Sequence, residues 1–322
     1  MKHLNDISYL RVGAMLLVVF GHCLCPYTIW KGESYTAGYK VTIWENILAC
    51  ISKVHIQMFF LIAGFLYAYI RNLGGYINTI QFIKNKMIRI LVPYMIFAPF
   101  MCLVQDRPCY EILLGVSHLW FLLTIFECYI AGRLVEKYLK LNSWKSLLLI
   151  IVCCLWIIIT TRYNFHTRFL TIERFIHYFP FYCIGMVFVS LNIVSCKGIK
   201  KWLPHVVIVS MLLLMIIHIL YGKETIDQAI GVIVVLSVFL YVHSIQIDKT
   251  PKWLMHLDKH SMGIYIIHQI IQQEMNKIPV FHEQMVSHCY IYPILQFIFL
   301  ILFSYSLSII IHRWQYGKYI LG

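Results

Sequence analysis

The run Tyr9-Leu10-Arg11-Val12-Gly13-Ala14-Met15-Leu16-Leu17-Val18-Val19-Phe20-Gly21-His22 decides how this chain is to be read. It is apolar enough to enter a bilayer as a helix, yet it carries two ionisable side chains. Eleven residues at about 100° each make three turns plus roughly 20°, so Arg11 and His22 share a helix face about 16 Å apart. Ionisable groups inside a spanning helix are costly and by default line a cavity or a site. Arg11 is always charged, whereas a histidine can move a proton near neutral pH. An anion clamp near the membrane surface and a general base at mid-depth suit a charged substrate that threads inward. Equally open is a plainer reading, in which Arg11 is an interfacial anchor and His22 a packing histidine with its hydrogen bonds filled.

The rest of the chain sets the class. It is 60% hydrophobic and 13% charged, with a mean hydropathy of +0.74, outside the balance of a water-soluble domain. About ten stretches are long enough, or nearly so, to cross a bilayer as helices. They lie near 9–28, 50–70, 88–105, 117–134, 146–161, 175–194, 203–221, 226–245, 261–275 and 289–311, with 146–161 and 261–275 short. The expectation is an all-α, polytopic membrane bundle forming one transmembrane domain over residues 1–322. The first stretch follows Lys2, His3 and Asp6 and has no small-residue cleavage signature, so it reads as a retained span. The connections are too short to hold a soluble domain.

A formal net charge of +13 raises the question of nucleic acid, and the distribution answers it. With a cytoplasmic N-terminus, and intramembrane Arg11 and Lys53 set aside, seventeen Lys and Arg fall in cytoplasmic segments and eight on the other side. That bias places both termini in the cytoplasm, and membrane topology absorbs most of the charge. The eleven cysteines are scattered and largely intramembrane, without metal-ligand spacing. No metal site, glycine-rich phosphate loop or internal repeat is visible.

Further polar positions stand out within the spans. In His55-Ile56-Gln57-Met58-Phe59-Phe60-Leu61-Ile62-Ala63-Gly64, small Ala63 and Gly64 would let a neighbouring helix approach closely, and His55 reads as an interfacial residue. Lys86 and Arg89, three apart in Lys84-Asn85-Lys86-Met87-Ile88-Arg89-Ile90-Leu91-Val92-Pro93-Tyr94, share a face at the start of a span. They would hold phosphates or touch anionic lipid, and Pro93 would loosen the helix beside them. Ser117-His118-Leu119-Trp120 opens another span, with Trp120 suited to the interfacial belt. His118 is either a hydrogen-bonding partner for a substrate or a residue at the water line. Tyr265 and His268 share a face in Ser261-Met262-Gly263-Ile264-Tyr265-Ile266-Ile267-His268, as ligand contacts or interhelical glue. Glu127 and Asp227 are the few acids at membrane depth, and either would orient an imidazole if it lay beside one. Arg162, Arg168 and Arg174 hint at an anionic acceptor or form a solvated charge cluster.

Taken in order, these segments resemble the membrane-bound acyltransferase-3 family of bacteria. The matching residues are Arg11 and His22; Phe59, Phe60, Gly64 and Phe65; Lys84, Lys86, Arg89, Leu91, Pro93 and Tyr94; His118 to Leu122; Ser261 to His268; and the closing Lys318-Tyr319-Ile320-Leu321-Gly322. They cover nearly the whole chain. Two departures are visible: the basic stretch is lysine-led, leaving Arg89 as its one arginine clamp, and the soluble esterase-like domain of some relatives is missing. The resemblance implies transfer of an acyl group, acetyl foremost, from acyl-coenzyme A to a hydroxyl or amine of a cell-surface glycan or lipid-linked sugar. It implies coenzyme A phosphates at Arg11, Lys86 and Arg89, with His22 as general base or covalent acyl relay. It implies acceptor contacts at His118, Trp120, Tyr265 and His268, and a bacterial inner membrane as the location. A transporter or flippase of a polysaccharide or lipid-linked precursor is the alternative, since polar residues on several helices also suit a carrier. A purely structural membrane subunit is the third reading.

Overall fold

A computed structural model describes residues 4–28, 37–138, 143–162, 167, 169–191, 197–222, 224–245 and 247–322. Its elements are α1 (Asn5–Leu24), α2 (Thr42–Ser52), α3 (His55–Asn72), α4 (Thr79–Lys86), a π-helical turn (Met87–Leu91), α5 (Val92–Val104), α6 (Trp120–Tyr138), α7 (Ser143–Arg162), α8 (Ile172–Leu191), α9 (Lys197–Tyr221), α10 (Glu224–Ser244), α11 (Lys252–Lys277), α12 (Pro279–Ser287), α13 (Tyr292–Arg313) and α14 (Gly317–Ile320). Among the described residues there is no strand. Among the described residues nine helical segments are long and apolar enough to cross a membrane, so this is a multi-pass membrane protein with an all-α fold.

The expected span at 261–275 lies within α11, the exception in composition. Its 26 residues reach about 39 Å, enough to cross, but its sequence is too polar to count among the nine. The polarity goes inward: Asp258, His260, Tyr265, His268 and Gln272 are all buried. Peripheral α9 and α13 show the reverse, with Leu212, Ile216, Leu295 and Leu302 exposed. In lipid the apolar face needs no protein partner, so polar side chains collect inside.

Helices α3 and α8 meet backbone to backbone. A Cβ added at Gly64 would stand 1.9 Å from the Tyr182 carbonyl oxygen, and one at Gly185 would stand 2.0 Å from that of Leu61. The close approach expected at Ala63-Gly64 is therefore made, by α8, and it needs a glycine on each helix. The expected span 50–70 is two helices, α2 and α3, broken at Lys53-Val54.

The break expected near Pro93 takes a definite form. Proline has no N–H, so the Arg89 carbonyl loses its usual partner four residues on. The backbone widens into the π turn just before it, with the Val92 N–H bonded to Met87 O. The end of the chain packs against this turn. Leu321 is buried, and a Cβ at Gly322 would lie 2.6 Å from Arg89 O. Nearby, Glu136 takes Arg71 Nε at 2.7 Å, Arg133 Nη1 at 2.8 Å and the Tyr67 hydroxyl, tying α3 to α6.

Candidate active site

Helices α1 and α11 run side by side in the same direction, and they carry two rungs. At one rung Arg11 grips Asp258 with Nε–Oδ1 of 2.6 Å and Nη2–Oδ2 of 2.8 Å, while Ser8 Oγ donates to Oδ2 at 2.7 Å. The Arg11 side chain stays 37% exposed and Asp258 is 7% exposed, so one edge of the guanidinium is committed and the other is open. At the second rung His22 meets His268, ring centroids 5.3 Å apart. Eleven residues separate the rungs on α1 and ten on α11, about 15–16 Å by helical rise.

The second rung is a three-histidine cluster. His118 lies 6.1 Å from His22 and 5.3 Å from His268, centroid to centroid, with Tyr265 5.3 Å from His118. His118 projects from a short 3-10 turn whose first residue, Ser117, has a φ of +47°. A non-glycine residue there costs of order 1–2 kcal/mol, and Gln105 Nε2 holds the Ser117 hydroxyl at 3.2 Å. The turn and α11 clasp each other in both directions: His118 Nε2 donates to Ile266 O at 3.1 Å, and the Tyr265 hydroxyl donates to His118 O. His118 is thus buried in the bundle, away from any water line. His268 Nδ1 donates to Ile264 O at 3.0 Å. His22 sits in the last turn of α1, where carbonyls lack helical partners, and Gln272 Nε2 fills its carbonyl at 2.8 Å. The His22 ring is half-buried and makes no hydrogen bond to a described residue. Of the three imidazoles it is the least buried.

At the basic end, α1, α4 and the π turn converge on Tyr129 of α6. Lys86 Nζ lies 3.8 Å from the centre of its ring, 5.5 Å from that of Tyr76 and 5.8 Å from that of Phe82. Arg11 and Arg89 are both near enough to act electrostatically on the Tyr129 phenol. The three cations expected at one end of the site are therefore neighbours, in different states. Lys86 is half-buried among aromatic rings, Arg11 is shared with Asp258, and Arg89 is exposed.

Other residues fall elsewhere. Trp120 does not touch the histidines: the Arg174 guanidinium lies 4.2 Å from its ring centre, and Tyr178 stacks with it at 5.4 Å. Arg174 belongs to the first turn of α8 and not to a loop, while the Arg162 side chain and Arg168 lie outside the described residues. His55 opens α3 as a buried residue with Nδ1 bonded to Ile51 O at 2.6 Å, so interfacial solvation is not its environment. Neither expected acid reaches His22: Asp227 Oδ2 pairs with His218 at 2.7 Å, and Glu127 accepts from Thr171 at 3.5 Å. Sequence reasoning missed Asp258, Gln272 and Tyr129. A faint signal existed for the first two, because Asp258 precedes His268 by nearly the Arg11–His22 spacing and Gln272 follows it by one turn. Among the described residues, no group of three or more His, Cys, Asp or Glu is arranged to hold a metal ion.

The arrangement is thus an imidazole with no hydrogen bond to a described residue, set inside a membrane bundle about 15–16 Å of helix from Arg11. A family model for an acyltransferase domain, that of the acyltransferase-3 family, matches residues 4–313, and the chain belongs to that family. It is a membrane-embedded acyltransferase. No curated protein and no solved structure matches it.

Proposed function

We propose that this protein takes an acyl group, acetyl foremost, from acyl-coenzyme A on the cytoplasmic side of a bacterial inner membrane. It passes that group to a hydroxyl or amine of a cell-surface glycan or lipid-linked sugar, with both termini cytoplasmic and residues 1–322 acting as one unit. The observation that carries this reading is the pair of rungs shared by α1 and α11. Arg11 at one rung and the His22 imidazole at the other are separated by about 15–16 Å of helix, which suits a pantetheine arm of roughly 15–20 Å.

In this reading each residue has a definite role. Arg89, which is exposed, and the free edge of Arg11 take coenzyme A phosphates by bidentate bonds. Lys86 adds a fixed positive charge held by its aromatic cage. The thioester then lies beside His22. His22 removes the proton from the acceptor hydroxyl as its oxygen attacks the thioester carbonyl. The C–S bond breaks on collapse, and the thiolate leaves with the proton returned by His22. General-base assistance of this kind is worth about 10²–10⁴-fold. In the covalent variant His22 itself takes the acyl group and hands it on. His118, Tyr265 and His268 frame the acceptor, and Trp120 supports it from behind, through Phe121 and Tyr265.

The test is acetyl-coenzyme A turnover by the purified protein in liposomes, wild type beside His22→Ala. Release of coenzyme A or acyl loading should disappear in the variant while coenzyme A binding and thermal unfolding stay as in the wild type. Full turnover without His22 would remove it from the mechanism. Absence of both turnover and coenzyme A binding in the wild type would replace acyl transfer with transport.

A further inference from the structure

The backbone carbonyl of His22 is one that its own helix cannot serve. In a continuous α-helix each carbonyl takes the N–H four residues on. At the end of α1 the Cys25 N–H still reaches back to Gly21 O, but the next residue is Pro26, which has no N–H to offer His22 O. The hydrocarbon core of a bilayer holds no water for such a group, so its partner must come from the protein. It comes from α11, where Gln272 Nε2 donates to His22 O at 2.8 Å.

The source of that hydrogen is itself held. Gln272 Nε2 also donates to Gln296 Oε1 at 3.3 Å, and Gln296 Nε2 donates to Asn276 Oδ1 at 2.8 Å. A carbonyl only accepts, so His22 O sets the direction of the whole chain; turning the Gln272 amide over would place oxygen against oxygen. Gln272 and Gln296 are each 2% exposed. The chain joins α1, α11 and α13, which pack on one another. Beyond the proline the backbone is fixed separately, through the buried Tyr27 hydroxyl, which donates to Met285 O at 3.0 Å. The last turn of α1 is therefore held on both sides of Pro26.

The same helix meets His22 from two directions. His268, one turn before Gln272 on α11, lies 5.3 Å from the imidazole, centroid to centroid, while Gln272 takes the carbonyl behind it. The direction of a Cα–Cβ bond follows the backbone that carries it, and a reacting group displaced by about 1 Å can lose of order 10²-fold in rate. We infer that Gln272 is a positioning residue for acyl transfer. It supplies the hydrogen that Pro26 withholds from the His22 carbonyl, and so sets the place and direction of the His22 imidazole, with Gln296 holding Gln272 in turn. This inference rests on the reading of His22 as the acyl-transfer centre.

The experiment uses the full chain in liposomes with acetyl-coenzyme A as the probe. Coenzyme A release gives kcat and KM, and mass spectrometry gives the rate at which diethyl pyrocarbonate modifies His22. Gln272→Met keeps the length of the side chain and removes its hydrogens. It should lower kcat about tenfold and leave the KM and the Kd for coenzyme A unchanged. The modification rate of His22, now less firmly held, should rise several-fold. Pro26→Ala returns an N–H at the position that serves His22 O in a continuous helix. Added to Gln272→Met, it should recover most of kcat and bring the modification rate back to that of the wild type, which a packing role for Gln272 would not do. Gln296→Met leaves the bond to His22 and removes the amide behind it; it should lower kcat about threefold, and it serves if Gln272→Met does not fold. Wild-type kcat and modification rate in both methionine variants, or a loss that Pro26→Ala fails to rescue, would overturn the positioning role. Full turnover in His22→Ala, or a wild type that neither binds nor cleaves acetyl-coenzyme A, would overturn the parent reading instead, while the modification rates still report whether Gln272 holds the ring.

Discussion

At the scale of single residues, the Arg11–Asp258 pair shows how a charge at membrane depth is made tolerable. A guanidinium meets a carboxylate edge to edge, with Ser8 filling a further lone pair. Removing one member leaves the other uncompensated, so the two substitutions should not add. Asp258→Ala and Arg11→Ala, alone and combined, should show a coupling of about 1–3 kcal/mol in denaturant unfolding in micelles; additive losses would mean the pair contributes nothing jointly. Arg11→Lys keeps the charge but not the fork, and should recover only part of the loss. Arg11 and His22 could be paired from sequence because helical rise ties positions eleven apart to one face. Asp258 could not, since nothing local links residues separated by 247 positions. The same holds for Trp120, whose belt-like setting in sequence gives no sign of Arg174 and Tyr178 against its ring.

Elements carry their own constraints. At Gly64 and Gly185 an added methyl would run into backbone, which cannot rotate aside as a side chain could. Gly64→Ala or Gly185→Ala should therefore cost about 1–3 kcal/mol or more by forcing α3 and α8 apart. Gly13→Ala, whose new Cβ meets nothing within 4 Å, should be neutral or gain up to about 1 kcal/mol of helix propensity. Melting temperatures in detergent give the comparison, and equal effects at all three glycines would contradict this account of the contact. The π turn supplies a second case. It carries Arg89, and α14 and Gly322 brace it. Removing residues 318–322 should weaken coenzyme A binding several-fold while the histidine cluster keeps its structure; unchanged affinity would make the brace irrelevant to the donor site. Pro93 made a loosened helix foreseeable. Its form as a π turn braced by the distant C-terminal segment was not, because the bracing contacts come from α14 and Gly322, far along the chain.

For the molecule as a whole, the distribution of Lys and Arg predicts the basic end to be cytoplasmic and Cys109, exposed between α5 and α6, to face outward. In sealed right-side-out vesicles a membrane-impermeant maleimide should label Cys109 directly, and an Asp248→Cys variant only after permeabilisation; the opposite pattern would invert the topology. Amino-acid order alone determined the all-α membrane class, the approximate spans, and the shared face of Arg11 and His22. Those properties depend on local hydropathy and on a fixed rise and turn per residue. Tertiary structure decided which polar groups meet: Asp258 with Arg11, Gln272 with the His22 carbonyl, His118 and His268 around the His22 imidazole, and three cations around Tyr129. Inside a bilayer apolar surfaces discriminate weakly between neighbours, so helix partners are selected by small-residue contacts and buried hydrogen bonds between distant segments, which no local pattern records.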